Sequence, residues 1–166
     1  IDLNVIKAVI LDMDGVIVDS EPFHVKSFKI MMDELNLKYD DEFVHSFIGH
    51  SIESNIQSIN DTFLQGRELN LEKAVEHRDA LYLELIKQAD LQTLPGIEEL
   101  IDTCLSKNIM LALASSSDRE QVDVILEKLF FSRDKINKTF SSIVTVNDVQ
   151  HKKPDPEIYQ QTISNL

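Results

Sequence analysis

Cysteine occurs once in this 166-residue chain, at Cys104, which excludes an internal disulfide and any cysteine-rich zinc site. Basic residues are scarce: 16 Lys and Arg stand against 29 Asp and Glu, a net charge of −13. Such a chain repels polyanions, so neither nucleic acid nor an anionic membrane is an expected partner. A small anion could be handled only where positive charge is concentrated or a metal supplies it. Long apolar runs are also missing, and none approaches the ~20 residues of a spanning helix. The start, Ile1-Asp2-Leu3-Asn4, has no initiator Met, no basic n-region and no cleavable signal pattern, so a trimmed chain is expected. A lone cysteine suits a reducing compartment, and a cytoplasmic location is the expectation. No internal repeat or low-complexity segment is present. What is there, 43% hydrophobic and 27% charged residues, is enough to bury a core.

Three apolar runs end abruptly in polar residues. Lys7-Ala8-Val9-Ile10-Leu11 stops at Asp12-Met13-Asp14-Gly15, and Ile109-Met110-Leu111-Ala112-Leu113-Ala114 stops at Ser115-Ser116-Ser117-Asp118. The third run, Ile143-Val144-Thr145-Val146, ends at Asn147-Asp148. Each reads as a buried strand. Between them, Ile97, Leu100, Ile101, Cys104 and Leu105 recur at helical spacing, as do Val122, Ile125, Leu126 and Leu129. Cys104 thus reads as a core position, and Ser117 with Glu120 as a capping box for the second helix. Strands alternating with helices predict an α/β fold, a Rossmann-like doubly wound parallel sheet with ligands at the carboxyl ends of the strands.

The pattern changes between Ser20 and Leu94. Phe28, Met31, Met32 and Leu35 have helical spacing, as do Ile52, Ile56, Ile59 and Phe63, and Leu71 to Ile86 is helical throughout, with Val75, Leu81 and Leu85 among its apolar positions. The Met31-Met32 pair reads as core filler. No convincing strand interrupts this stretch, and Leu94-Pro95-Gly96 is a loop signal. The expected organisation is a core of residues 1–19 and 93–166 with an inserted all-helical module, 20–92.

Asp12 and Asp14, spaced i, i+2 at a strand end, emerge on one side while Gly15 lets the backbone turn away. Paired carboxylates there suit a hard divalent cation such as Mg2+, and one can serve as nucleophile with the other as acid and base. An isolated Asp-x-Asp reads first as an acidic turn capping whatever follows. The longer string Asp12-Met13-Asp14-Gly15-Val16-Ile17-Val18-Asp19-Ser20 resembles the first signature of the haloacid dehalogenase-like hydrolase superfamily, Asp-x-Asp-Gly-x-x-x-Asp-Ser/Thr. Leu113-Ala114-Ser115-Ser116 resembles its second signature, and Lys153-Pro154-Asp155-Pro156-Glu157-Ile158-Tyr159 its third. Leu94-Pro95-Gly96-Ile97 is similar to the family's return from a helical cap into the core.

The resemblance implies roles residue by residue. Asp12 attacks phosphorus and ligates Mg2+. Asp14 protonates the leaving oxygen, then activates water, and puts its backbone carbonyl on the metal. Ser115 and the Ser116 N–H hold phosphoryl oxygens. Lys153 neutralises charge, and Lys152 before it is read as solvated. An acid at position 14 places the chain with the phosphate-transferring branch. The family's fourth signature, a further acidic pair, lies downstream of the Lys-Pro segment, and the sequence stops at Leu166. The core is therefore expected to lack at least one strand–helix unit, together with a metal ligand.

The cap region resembles a sugar-phosphate subgroup that includes beta-phosphoglucomutase. His24 matches a histidine of that mutase, and Arg78 falls near a basic cap position; a partly exposed helix histidine and a solvated ion pair are the plainer readings. The mutase's phosphate-gripping arginine is replaced: Gly49-His50-Ser51 is followed by Ile52. His45, His50, His77 and His151 show no metal-like spacing among themselves. The resemblance thus implies a Mg2+-dependent phosphatase of a small phosphorylated metabolite, with a sugar phosphate expected, acting through an aspartyl-phosphate. An isomerase like beta-phosphoglucomutase is the alternative, and a catalytically silent fragment or binding domain is a third.

Overall fold

A computed structural model describes residues 5–130 and 132–166; the Ile1-Asp2-Leu3-Asn4 start lies outside them. In chain order the elements are β1 (Ala8–Leu11), α1 (Glu21–Glu34), α2 (Asp41–His45), α3 (Ile52–Phe63), α4 (Leu71–Gln88), α5 (Ile97–Ser106), β2 (Met110–Ala114), α6 (Arg119–Phe130), α7 (Arg133–Thr139), β3 (Ser142–Val144) and α8 (Glu157–Ser164). Two compact units result: the chain up to Asp19 together with Asp90–Leu166, and Ser20–Ala89. Among the described residues, no helix is long and apolar enough to cross a membrane.

In the first unit the strands form a parallel sheet in the order β1-β2-β3. Leu111, Ala112, Leu113 and Ala114 point alternately to its two faces, yet each is at most 1% exposed. Both faces are therefore covered, as a central parallel strand requires. α8 covers one of them, where Ile158 packs with Ala114 and Val144. Cys104 is buried in α5, and burial pushes its thiol pKa up.

The third strand is shorter than the apolar run Ile143–Val146 suggests. Thr145 leaves the strand to cap a short 3-10 turn, Val146–Asp148: its backbone N–H and hydroxyl both donate to Asp148 Oδ2, at 2.7 and 2.9 Å. Two hydrogen bonds to a carboxylate outweigh the β-propensity of one further apolar residue.

After β1, Gly15 adopts φ +71°, a left-handed conformation open to glycine without strain. Its N–H donates to Val18 O at 2.8 Å, while Ile17 N–H closes on Met13 O at 2.9 Å. Val18 then bridges Thr93, and Leu94 N–H donates to Ile17 O at 2.8 Å, so the outgoing and returning chain run side by side.

The second unit is α-helical. Its core gathers Phe28, Met31 and Met32 of α1 with Ile56 and Ile59 of α3, all at most 3% exposed. Edge-to-face contacts link Phe28 to Phe47 and Phe43 to Phe63. Along α4 the fully buried stripe is Ala74, Arg78, Tyr82 and Ile86, while Val75, Leu81 and Leu85 are only half-buried. An arginine therefore occupies a position that charge alone assigns to the surface. Ile59→Ala removes a side chain with no exposed surface and is expected to lower unfolding free energy by about 2–5 kcal/mol. Denaturant titration checks this, and a loss below about 1 kcal/mol contradicts the packing described.

Candidate active site

Parallel register fixes which residues meet. Leu11 lies beside Leu113, and Ala114 beside Val144, so Asp12, Ser115 and Thr145 leave the three strands at one carboxyl edge. Lys153, carried there by the loop before α8, places Nζ 3.0 Å from Asp12 Oδ2 and donates to the Ala114 carbonyl at 2.9 Å. Its ammonium also lies over the Tyr159 ring, 5.2 Å from the centroid. Asp12 Oδ1 accepts the Met13 N–H at 2.8 Å. The side chain between the two acids, Met13, has no exposed surface and anchors the turn in the core.

The loop that delivers Lys153 is shaped by Glu157. Its carboxylate accepts the N–H groups of Gln150 and His151, each at 2.8 Å, and meets His151 Nδ1 at 2.7 Å. These hydrogen bonds, the Gln150 amide foremost, hold the Glu157 carboxyl below the usual carboxylate range. Asp155 Oδ1 accepts the Glu157 N–H at 2.9 Å. Among the described residues, His151, Asp155 and Glu157 bring potential metal-ligating atoms within 4.8 Å of one another. Their hydrogen bonds give the set a structural use, capping α8 and folding the loop.

Ser115 is fully buried, and its Oγ accepts the Ser117 N–H at 3.1 Å; Ser116 is exposed. Ser117 donates its hydroxyl to Asp14 Oδ2 at 2.7 Å. The capping expected of Ser117 falls instead to Asp118, whose Oδ1 accepts the Gln121 N–H at 2.9 Å. A carboxylate one residue closer to the helix takes the cap, which leaves the serine available to the acid across the edge. Arg119 ties the same loop to the end of β3. Its backbone N–H reaches Asn147 Oδ1 at 2.7 Å, and its guanidinium reaches Ile143 O at 3.0 Å and Asp148 Oδ2 at 2.7 Å. Neither Ser117 nor Arg119 stands out in the sequence as a site residue. Only the position of Ser117, two residues after the second signature's serine, could have pointed to it.

His24 and Arg78 meet within the helical unit. Arg78 is 1% exposed, its guanidinium carbon 5.0 Å from the Phe28 ring centroid and 5.1 Å from that of Tyr82. Nη1 donates to Asp79 Oδ1 at 2.9 Å, and Nη2 donates to His24 Nδ1. Nε finds no hydrogen-bond partner among the described residues. Burial pulls the guanidinium below its ordinary value, and the Asp79 carboxylate works against that pull. Arg78 is thus a buried cation between two rings: of the two readings open for it, the solvated ion pair is excluded, since its pairing with Asp79 is made by a side chain only 1% exposed. His24 stacks on Tyr82 with ring centroids 4.2 Å apart. Burial first, and the charge of Arg78 second, push the His24 pKa down to about 3. The ring is neutral at pH 7, accepting at Nδ1 and therefore protonated at Nε2.

Asp12 and Asp14 offer only oxygen donors, and fewer of them than the six positions Mg2+ fills. The remaining positions are left for water and a phosphate oxygen. The donor chemistry fits a hard divalent cation.

A family profile described as haloacid dehalogenase-like hydrolase matches residues 9–166. The chain is 29% identical over 162 residues to a phosphorylated carbohydrates phosphatase of Thermotoga maritima, across 96% of this chain and 70% of that protein. It is 32% identical over 159 residues to a beta-phosphoglucomutase of Bacillus subtilis, across 92% and 66%. In fold it is similar to the crystal structure of CbbY from Rhodobacter sphaeroides in complex with phosphate, with a TM-score of 0.80 at 21% identity over 96% of this chain and 72% of that one. The chain thus spans about two thirds to seven tenths of the length of these relatives.

The depressed His24 pKa has a stability consequence of definite sign. Below about 6.5 the unfolded chain takes up a proton that the folded ring refuses until about 3, so folded-state stability falls as pH drops through that window. His24→Gln keeps an acceptor and removes the titration. Between pH 7 and pH 5 the wild type is expected to lose about 2 kcal/mol more than the variant, read by denaturant unfolding at both values. Equal losses in the two proteins contradict the assignment.

Proposed function

Because the chain belongs to the haloacid dehalogenase-like hydrolase family, we propose that it is a Mg2+-dependent phosphatase of a small phosphorylated carbohydrate, acting through an aspartyl-phosphate on Asp12. The observation that carries this reading is the Lys153–Asp12 pair at the carboxyl edge of the sheet, 3.0 Å apart. A carboxylate held against an ammonium can approach a phosphate dianion with its own charge offset.

The division of labour follows from the groups at that edge. Asp12 supplies the attacking oxygen, and Lys153 neutralises charge as the phosphoryl group arrives. Asp14 gives its proton to the departing sugar oxygen and later takes one from water. Buried Ser115 and the backbone N–H of Ser116, an exposed residue, receive phosphoryl oxygens. Asp12 and the Asp14 carbonyl would hold Mg2+, which supplies charge neutralisation on the phosphoryl oxygens when bound. In the helical unit, His24 is the candidate substrate contact. Arg78, being buried, acts on it indirectly by fixing the tautomer that presents Nε2–H. The unpaired-thiol chemistry of Cys104 goes with a cytoplasmic location for the enzyme.

An isomerase is the second reading, favoured by the 32% identity to the Bacillus subtilis beta-phosphoglucomutase. Against it stands Ile52, packed on the core of the helical unit where the mutase resemblance calls for an arginine. An apolar side chain cannot pair with a second phosphate. Incubation of the full-length protein with Mg2+ and a panel of sugar phosphates is expected to release inorganic phosphate. A rearranged sugar phosphate in its place moves the assignment to the isomerase. Asp12→Asn is expected to lower phosphate release about 1000-fold or more, and Lys153→Ala about 100-fold. Normal turnover by the Asp12 variant sinks the nucleophile assignment.

A further inference from the structure

The contact between Ser117 and Asp14 joins residues 103 positions apart in sequence, and the cap of α6 does not use it. At 2.7 Å it has the ordinary length of a hydroxyl hydrogen bond to an oxygen acceptor. The loop offering that hydroxyl is held from several sides. Ser117 N–H is on Ser115 Oγ, Ser117 O accepts from Val146 N–H at 3.4 Å, and Arg119 is fixed to Ile143, Asn147 and Asp148. Asp14 is carried on the opposite side by the Gly15 turn and the Met13 anchor. A hydroxyl presented by so constrained a loop specifies where Asp14 Oδ2 lies.

We propose that Ser117 is a positioning residue for Asp14: by donating to Oδ2 it assigns that oxygen a fixed place and so sets the plane of the carboxyl group. This rests on the acid–base role given to Asp14 above. In the first step an Asp12 oxygen forms a bond to phosphorus and the bond from phosphorus to the sugar oxygen breaks. The proton on the Asp14 carboxyl passes to that sugar oxygen, giving a free alcohol and the aspartyl-phosphate. In the second step a water oxygen attacks phosphorus, one water proton returns to the Asp14 carboxylate, and the phosphorus–Asp12 bond breaks to release inorganic phosphate. Oδ2 keeps the Ser117 hydrogen bond through both steps, so the carboxyl plane does not rotate between them. Misplacement of that plane harms proton delivery to a poor leaving group far more than it harms nucleophilic attack.

Leaving-group chemistry isolates this role from simple collapse of the loop. The full-length protein and its Ser117→Ala and Ser117→Thr variants are assayed for kcat/KM with a hexose phosphate, whose alkoxide must be protonated, and with para-nitrophenyl phosphate, whose phenolate leaves unaided. Ser117→Ala is expected to lose about 10-fold or more with the sugar ester and less than about 3-fold with the aryl ester. Ser117→Thr, which retains the hydroxyl, is expected to return both to near the wild-type value. Equal losses with the two esters, no loss with the sugar ester, or failure of threonine to restore it overturns the proposal. Asp12→Asn is run beside them. If it still cleaves both esters, the reading of the site fails and this inference with it. If it is inert while Ser117→Ala loses both esters equally, the Ser117 assignment alone fails.

Discussion

An ion pair between Lys153 and Asp12 at the end of a parallel sheet is the interaction on which the rest of the molecule converges. Asp12 occupies its position because β1 is apolar up to Leu11 and in register with β2. Lys153 reaches it because Glu157 gathers the amides of Gln150 and His151 and bends the loop back over the edge, where Lys153 also bonds the last carbonyl of β2. Lys153 is 17% exposed and Asp12 38%, so the pair is partly withdrawn from water but open to an approaching anion. In a chain of net charge −13, such a local cation is what a phosphate needs.

A second layer of contacts keeps this edge rigid. Arg119 and Asp148 connect the loops after β2 and β3, Thr145 locks the turn by capping it, and Ser117 reaches across to Asp14. Each bond involves a carboxylate, and such bonds are about twice as strong as neutral ones. The acidic composition has a structural use here: carboxylates organise the loops as well as standing as the Asp12–Asp14 pair at the sheet edge.

Much of the fold and part of the site were legible from the sequence, and the exceptions share a cause. The ends of β1 and β2 are readable because Leu11 gives way to Asp12, and Ala114 to Ser115, with no intermediate residues. The stop of β3 at Val144 was not, since Thr145 and Val146 continue the apolar pattern and only the reciprocal bond to Asp148 ends it. The helix α8 went unread because its 8 residues follow two prolines and carry few apolar side chains. Arg78 reads as solvated by charge. Its burial depends on the ring of Tyr82 one turn along α4, and on the Phe28 ring and a neutral His24 from a helix some 50 residues earlier in the chain. Ser117 satisfies a local capping rule on paper, but Asp118 takes the cap and a long-range contact decides its use. Local patterns locate the strand ends; which polar groups pair across them is settled only by the fold.

Covalent phosphorylation of Asp12, paired with Lys153, is the step on which this proposed chemistry rests. Rapid quenching of the full-length protein during turnover of a sugar phosphate, followed by peptide mass mapping, tests it most directly. A base-labile, hydroxylamine-sensitive acyl phosphate on the peptide containing Asp12 is the expected result. A phosphoryl group on Ser115, Asp14 or any other residue, or turnover without any phosphoenzyme, would contradict it.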